Sequence, residues 1–252
     1  MSFNLKNKKV LICGSTYGIG YDIANKFLEE GAKVIFTGRT KKRINYINSK
    51  KKNALAITCD FSQDKDIIEL KKKVKDKFKN IDILVCNIGF GKSKPEFKEN
   101  IDDWNNLINI NLMYAVRTIK LLSDLINTKN KPTIIFISSI CGLEATPAPL
   151  SYSSAKAALN LFSKNLSNIY IKKNIRVNCV SPGNVLFKGS TWEEKLKKNK
   201  KKVLKIINDN VPIKRFAHPR EISNVVVFLA SEYSSFIVGQ NIVVDGGQTN
   251  SK

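Results

Sequence analysis

The 252-residue chain has a single histidine, His218. That excludes a histidine-rich metal site and a histidine-based nucleophile relay. Its five cysteines (Cys13, Cys59, Cys86, Cys141 and Cys179) are odd in number and contain no Cys-x-x-Cys pair. Each lies in or beside an apolar, strand-like segment, so they read as free buried thiols of a reducing compartment. No apolar run approaches the roughly 18 residues that cross a bilayer, and no membrane span is expected. Residues 1–9 lack the long apolar core of a signal peptide and lead straight into a strand, which makes the cytoplasm the expected location. Arginine is scarce too: six of the 43 basic residues, lysine supplying the rest. Bidentate recognition of phosphates and base edges favours arginine, and no aromatics interleave the lysine runs at 50–52, 71–73 and 197–202. A specific nucleic-acid partner is therefore not expected, although a net charge of +22 attracts polyanions non-specifically.

What is present is a strict alternation. Apolar strand-like runs at 9–13, 34–37, 54–59, 82–87, 133–138, 175–180 and 241–244 are separated by amphipathic stretches of helical period. The expected helices lie at 18–30, between strands two and three, and at 64–78, 102–126, 151–171 and 219–231, with a charged helical stretch at 192–210. Continuous apolar strands between helices predict a mostly parallel sheet of about seven strands covered on both faces. No linker or repeat divides the chain, so 1–252 is expected to form one doubly wound domain.

The first strand runs into Gly14-Ser15-Thr16-Tyr17-Gly18-Ile19-Gly20 and opens the first helix. Glycines at 14, 18 and 20 permit a tight turn and close approach of a pyrophosphate to backbone N–H groups at the positive end of that helix. In such folds an acid about 20 residues on binds the ribose hydroxyls of NAD. Here strand two ends Thr37-Gly38-Arg39-Thr40, with no carboxylate and with Arg43 nearby. Arg39 suits a 2′-phosphate, which predicts NADP(H) as the preferred cofactor and NAD(H) as the alternative. Tyr152 and Lys156, four residues apart, share one helical face. A phenol titrates near ~10, and a cation within a few ångströms is expected to lower it by roughly 1–3 units, towards use as an acid or base.

Taken in order, Gly14/Gly18/Gly20, Asp60, Asn87-Ile88-Gly89, Asn111, Ser138-Ser139, Tyr152-x-x-x-Lys156, Pro182-Gly183 and Asp245-Gly246-Gly247 resemble the short-chain dehydrogenase/reductase family over nearly the whole chain. The resemblance implies a Rossmann domain and an oxidoreductase of the CH–OH/C=O class. It implies roles as well. Tyr152 would be general acid or base, Lys156 would lower its pKa and hold the nicotinamide ribose, Ser139 would bond the substrate carbonyl, and Asn111 would position a relay water. Cofactor contacts would come from Gly14, Ser15, Tyr17, Gly18, Ile19, Gly20, Arg39, Asp60, Phe61, Asn87, Gly89, Tyr152, Lys156, Pro182, Gly183 and Val185. Three positions depart from the pattern. Ile88 replaces a small residue, Tyr17 stands where NADP-preferring members often carry Arg or Lys, and Phe187 stands where many carry a Thr.

A substrate lid is expected at 184–210, with Ile140, Leu143 and Glu144 helping to shape specificity. The leading substrate is a 3-oxoacyl thioester. Lys129, Lys131, Lys172 and Lys173 fall where relatives that act on acyl-carrier protein attract that acidic carrier. A sugar or other small polar carbonyl is the alternative, and a non-catalytic NADP-binding sensor is the rival of another class. Surplus apolar surface on the helices at 102–126 and 151–171 predicts a homodimer or homotetramer.

Overall fold

The computed structural model describes residues 3–94 and 97–250, so the outermost residues of the expected 1–252 domain lie outside it. The apolar runs form β1 (Lys9–Cys13), β2 (Lys33–Gly38), β3 (Ala54–Thr58), β4 (Ile83–Cys86), β5 (Thr133–Ile137), β6 (Arg176–Pro182) and β7 (Asn241–Val244). Among the described residues every neighbouring pair is parallel, in the order β3-β2-β1-β4-β5-β6-β7. The helices are α1 (Gly18–Glu29), α2 (Lys41–Lys50), α3 (Asp64–Phe78), α4 (Ile101–Ile108), α5 (Tyr114–Leu122), α6 (Leu150–Tyr170), α7 (Thr191–Lys198), α8 (Lys200–Asn210) and α9 (Pro219–Ala230).

The strand period of two divides the interior into two cores. Val10, Ile12, Val34, Phe36, Ile135 and Ile137 face α1 and α9. Leu11, Cys13, Ile35, Leu84, Ile134 and Phe136 face α3, α5 and α6. Both faces of the sheet are thus covered, as continuous apolar strands require. Ligand chemistry is then left to the edge where the strands end. The sheet order reverses between β1 and β4, opening a crevice at their carboxyl ends.

Four sequence expectations are corrected. The helix expected at 102–126 is interrupted by a π-helical turn at Asn109–Met113 and ends in a 3-10 turn at Ser123–Leu125. The charged stretch at 192–210 is two helices, because Asn199 leaves helical geometry (φ −155°, ψ 84°) and its side chain caps α8 through Lys202 N (3.0 Å). Ser151 does not begin its helix: Pro149 occupies the N-cap and Ser151 is fully buried inside the first turn. Cys141 is only half-buried, whereas the other four thiols are buried; all five are free.

Candidate active site

The glycine turn is fixed by hydrogen bonds to β2. Thr37 Oγ1 accepts from Gly14 N (3.1 Å) and donates to Ile12 O (2.8 Å), while Ser15 Oγ accepts from Thr37 N (2.9 Å). Ser15 is fully buried within this network. Gly14 and Gly18 adopt φ of +70° and +57°, which side chains disfavour. A methyl group on Gly20 would collide with the Asn87 amide and Gly14 O. Asn87 itself donates to Gly14 O (2.8 Å), stapling the end of β4 to the turn. Tyr17 is the N-cap of α1, makes no side-chain cap, and no acid occupies the first turn that includes Ile19. No capping side chain or carboxylate of the helix itself therefore competes with an anion for its positive end.

At the ends of β4 and β5 the Tyr-Lys pair meets the other predicted groups. Lys156 is buried (2% exposed) and its Nζ donates to Ile137 O (3.0 Å). A methyl group on Gly89 would sit 3.0 Å from Lys156 Nζ and 3.1 Å from Asn111 Oδ1. That glycine therefore lets the three converge. Lys156 Nζ lies 5.9 Å from the Tyr152 ring centre, and the Ser139 hydroxyl hydrogen-bonds the phenol. Ser138 instead turns towards Lys156 O (3.3 Å). The structure thus brings Asn111, Ser139, Tyr152 and Lys156 together.

Asn111 sits in the π turn, a feature that recurs at functional sites. Its amide donates to Phe90 O (2.9 Å) and Leu107 O (3.0 Å), and its oxygen accepts from Phe90 N (3.0 Å). Both N–H groups of that side chain are therefore engaged, and its oxygen keeps one further acceptor position. Gly91, one residue beyond Phe90, packs against the Tyr152 ring.

The remaining predicted residues are dispersed around this centre. Asp60 accepts from Ser62 N (3.0 Å), and Phe61 is buried in the core, so its side chain is not available to a ligand. Pro182 and Gly183 close β6, with Gly183 N bonded to Val244 O (3.0 Å). Val185 is buried and bridged to Ala217, anchoring the root of the 184–210 segment. Beyond it the Phe187 ring packs on Gly18 and meets Tyr17 edge-on at 6.2 Å. The Arg43 guanidinium lies over the Tyr17 ring, 5.1 Å from its centre, and Arg39 is exposed. Sequence reading missed the Tyr17–Phe187 and Tyr17–Arg43 contacts, since no local pattern joins residues so far apart.

A family profile described as Enoyl-(Acyl carrier protein) reductase matches residues 14–249. A 3-oxoacyl-(acyl-carrier-protein) reductase of Chlamydia trachomatis is 34% identical, covering 98% of this chain and 99% of the relative. A glucose 1-dehydrogenase of Gluconobacter oxydans is 30% identical over 96% of this chain and 92% of its own length. Among solved structures, L-sorbose reductase of Gluconobacter frateurii, complexed with NADPH and L-sorbose, superposes with a TM-score of 0.92 at 32% identity, covering 100% of both chains. The chain belongs to the short-chain dehydrogenase/reductase family, oxidoreductases that act on CH–OH and C=O groups with nicotinamide dinucleotides.

Electrostatics overturn the expected sign at Tyr152. Burial pushes its phenol above the ordinary range, with Cys141 nearby adding to the rise and the Ser139 hydrogen bond opposing it. Spacing alone had suggested a fall. Burial also pushes Lys156 down to about 8, with Cys179 and Cys141 partly offsetting it. An ordinary lysine titrates at 10.5, so between these values the unfolded chain holds more protons than the fold and stability rises with pH. The penalty is complete below about pH 8 and gone above about pH 10.5, amounting to roughly 3 kcal/mol at about 1.36 kcal/mol per unit. Lys156→Met removes that slope. Urea unfolding at about pH 7.5 and about pH 9.5 should show the wild type gaining on the variant as pH rises. A difference that does not change with pH would mean the buried amine does not titrate there.

Proposed function

We propose that the protein interconverts a carbonyl and a secondary alcohol, reducing the carbonyl with NADPH. The convergence of Ser139, Tyr152 and Lys156 at the ends of the strands that also carry the glycine turn supports this reading. The dinucleotide, when bound, supplies or accepts the hydride. Ser139 holds the carbonyl oxygen and Tyr152 donates a proton to it. A phenol held above its ordinary range keeps that proton at neutral pH, as an acid must. In the alcohol-oxidising direction the same oxygen must lose its proton. Moving a phenol from ~10 to ~7 takes about 4 kcal/mol, and the raised starting point here demands more. Lys156 is the adjacent cation able to contribute, and its amine also faces the space beside Gly89 where the ribose would lie.

The donor set fits a phosphorylated dinucleotide. No carboxylate stands at the end of β2, and Arg39 and Arg43 make no ion pair with an acid among the described residues. By contrast Arg117, Arg215 and Arg220 each meet a carboxylate. Asp60, Asn87, Gly89, Pro182, Gly183 and Val185 complete the proposed cofactor path.

A 3-oxoacyl thioester is the leading substrate, supported by the 34% identical relative of that name. Of the lysines expected to attract an acidic carrier such as acyl-carrier protein, Lys129, Lys131 and Lys173 line a cavity of about 770 Å³. Lys172 does not line it, and Arg176 at its wall spends its guanidinium on carbonyls of Leu229, Ser231, Ser234 and Ile237. The cavity lies where β5 and β6 begin, the opposite end of the sheet from Tyr152. That geometry favours the second reading, a sugar or small polar carbonyl needing no carrier, which the sorbose reductase likeness also supports. Five free thiols support a cytoplasmic location. Exposed Ile101 and Met113 beside α4 and α5, with Leu161 and Ile169 on α6, support self-association.

A panel of 3-oxoacyl thioesters, ketoses and small ketones, followed by NADPH oxidation, tests the activity. Tyr152→Phe should lower turnover by about 10²-fold or more while NADPH binding persists. Full activity in that variant would favour the sensor instead. Catalytic efficiency should be higher with NADPH than with NADH, and a clear NADH preference would refute the role given to Arg39. Light scattering at micromolar protein should report a dimer or tetramer; a monomer would count against those helix faces as an interface.

A further inference from the structure

We infer that Glu99 is a positioning residue for Tyr152, an inference that rests on the catalytic reading of Tyr152 above. The first turn of α6 begins without a cap of its own. Pro149 is the N-cap and offers no side-chain acceptor, so the leading N–H groups need partners from elsewhere. Glu99, 52 residues earlier in the chain, supplies them. Its buried carboxylate accepts from Ser151 N (3.3 Å), from Leu150 N and, in a short bond, from the Ser151 hydroxyl. Burial opposes its charge, but these bonds and one from the Ser93 hydroxyl hold it below the ordinary carboxylate range. The positive end of the helix favours the same charge.

Tyr152 is the next residue. It occupies the turn most prone to fraying, whereas Lys156 lies one turn deeper and is tied to Ile137 O. The segment that carries Glu99 also carries Gly91, against the Tyr152 ring, and Phe90, clamped by Asn111. Glu99 therefore closes a frame: one end of this segment touches the phenol ring and the other holds the backbone beneath it. Loosening Glu99 should displace the phenol from Ser139 while leaving the glycine turn and Lys156 in place.

Two substitutions separate reach from charge. Glu99→Gln loses the charge but keeps an acceptor at the same reach, and should retain kcat within about threefold. Glu99→Asp keeps the charge but draws the acceptor back by a methylene, and should lower kcat by about tenfold or more, since small misplacements of a reacting group are costly. NADPH affinity, read by fluorescence titration, should stay within about twofold in both. An Asp variant as active as the Gln variant would overturn the inference, as would cofactor affinity falling in step with kcat. If Glu99→Asp is silent while Tyr152→Phe is inactive, Glu99 is only a structural cap and the catalytic reading stands. If Tyr152→Phe is active, both fall.

Discussion

A lysine ammonium excluded from water is the constraint on which the site depends. Lys156 is 2% exposed, its Nζ donates to Ile137 O, and burial, partly offset by Cys179 and Cys141, lowers its pKa to about 8. An apolar side chain of similar volume would fill the place without the roughly 3 kcal/mol penalty, so packing does not account for the charge. Its surroundings are shaped for it. Gly89 leaves room for the amine, and Gly142 lets the turn after β5 lie directly on the backbone of α6 at Lys156, where any Cβ would overlap. The two-sided apolar core makes this arrangement affordable. Fully buried residues on both faces of the sheet hold β4 and β5 in register, and the ends of those strands then fix the amine.

Much of this was legible in the residues. Alternating apolar runs and helical stretches specified a parallel, doubly wound sheet, because only that arrangement covers strands apolar on both faces. The glycine turn was readable as a local pattern at a strand end and the Tyr-Lys spacing as one on a helix, while Ser139 and Asn111 came from the family resemblance. The failures share a cause: they depend on partners distant in sequence. The apolar repeat from 102 to 126 runs on through the π turn, since Leu107, Ile119 and Leu122 are buried on both sides of it. The bonds from Asn111 to Phe90 and Leu107 that accompany the turn leave no trace in that repeat. Ser151 looked like a helix start because the true cap comes from another loop. The Tyr152 shift had the wrong sign because spacing reveals a neighbouring cation but not how much water burial removes.

The departures from the family pattern acquire a physical meaning together. Phe187 lays its ring on Gly18, and Gly18 has the left-handed backbone and the missing side chain that allow it. Tyr17 completes the contact from the other side and holds Arg43 over its own ring. The cation absent from position 17 is thus returned to the same neighbourhood from α2. A second link, Lys92 to Glu194 at 2.5 Å, joins α7 to the segment after β4. The segment that would cover the site is consequently fastened at two points, one aromatic and one ionic.

Those two fastenings differ from the contacts that hold the phenol. Lys92 and Glu194 are substantially exposed, and an exposed ion pair contributes little, so it can be exchanged for water at small cost. Glu99, Asn111 and Lys156 are buried, and a buried polar group that loses its partner bears the full cost of desolvation. The same chain therefore places exposed contacts on the 184–210 segment and buried ones around Tyr152. The lid role proposed for 184–210 and the proton-donor role proposed for Tyr152 would make opposite mechanical demands, and this division would let α7 shift while α6 stays fixed.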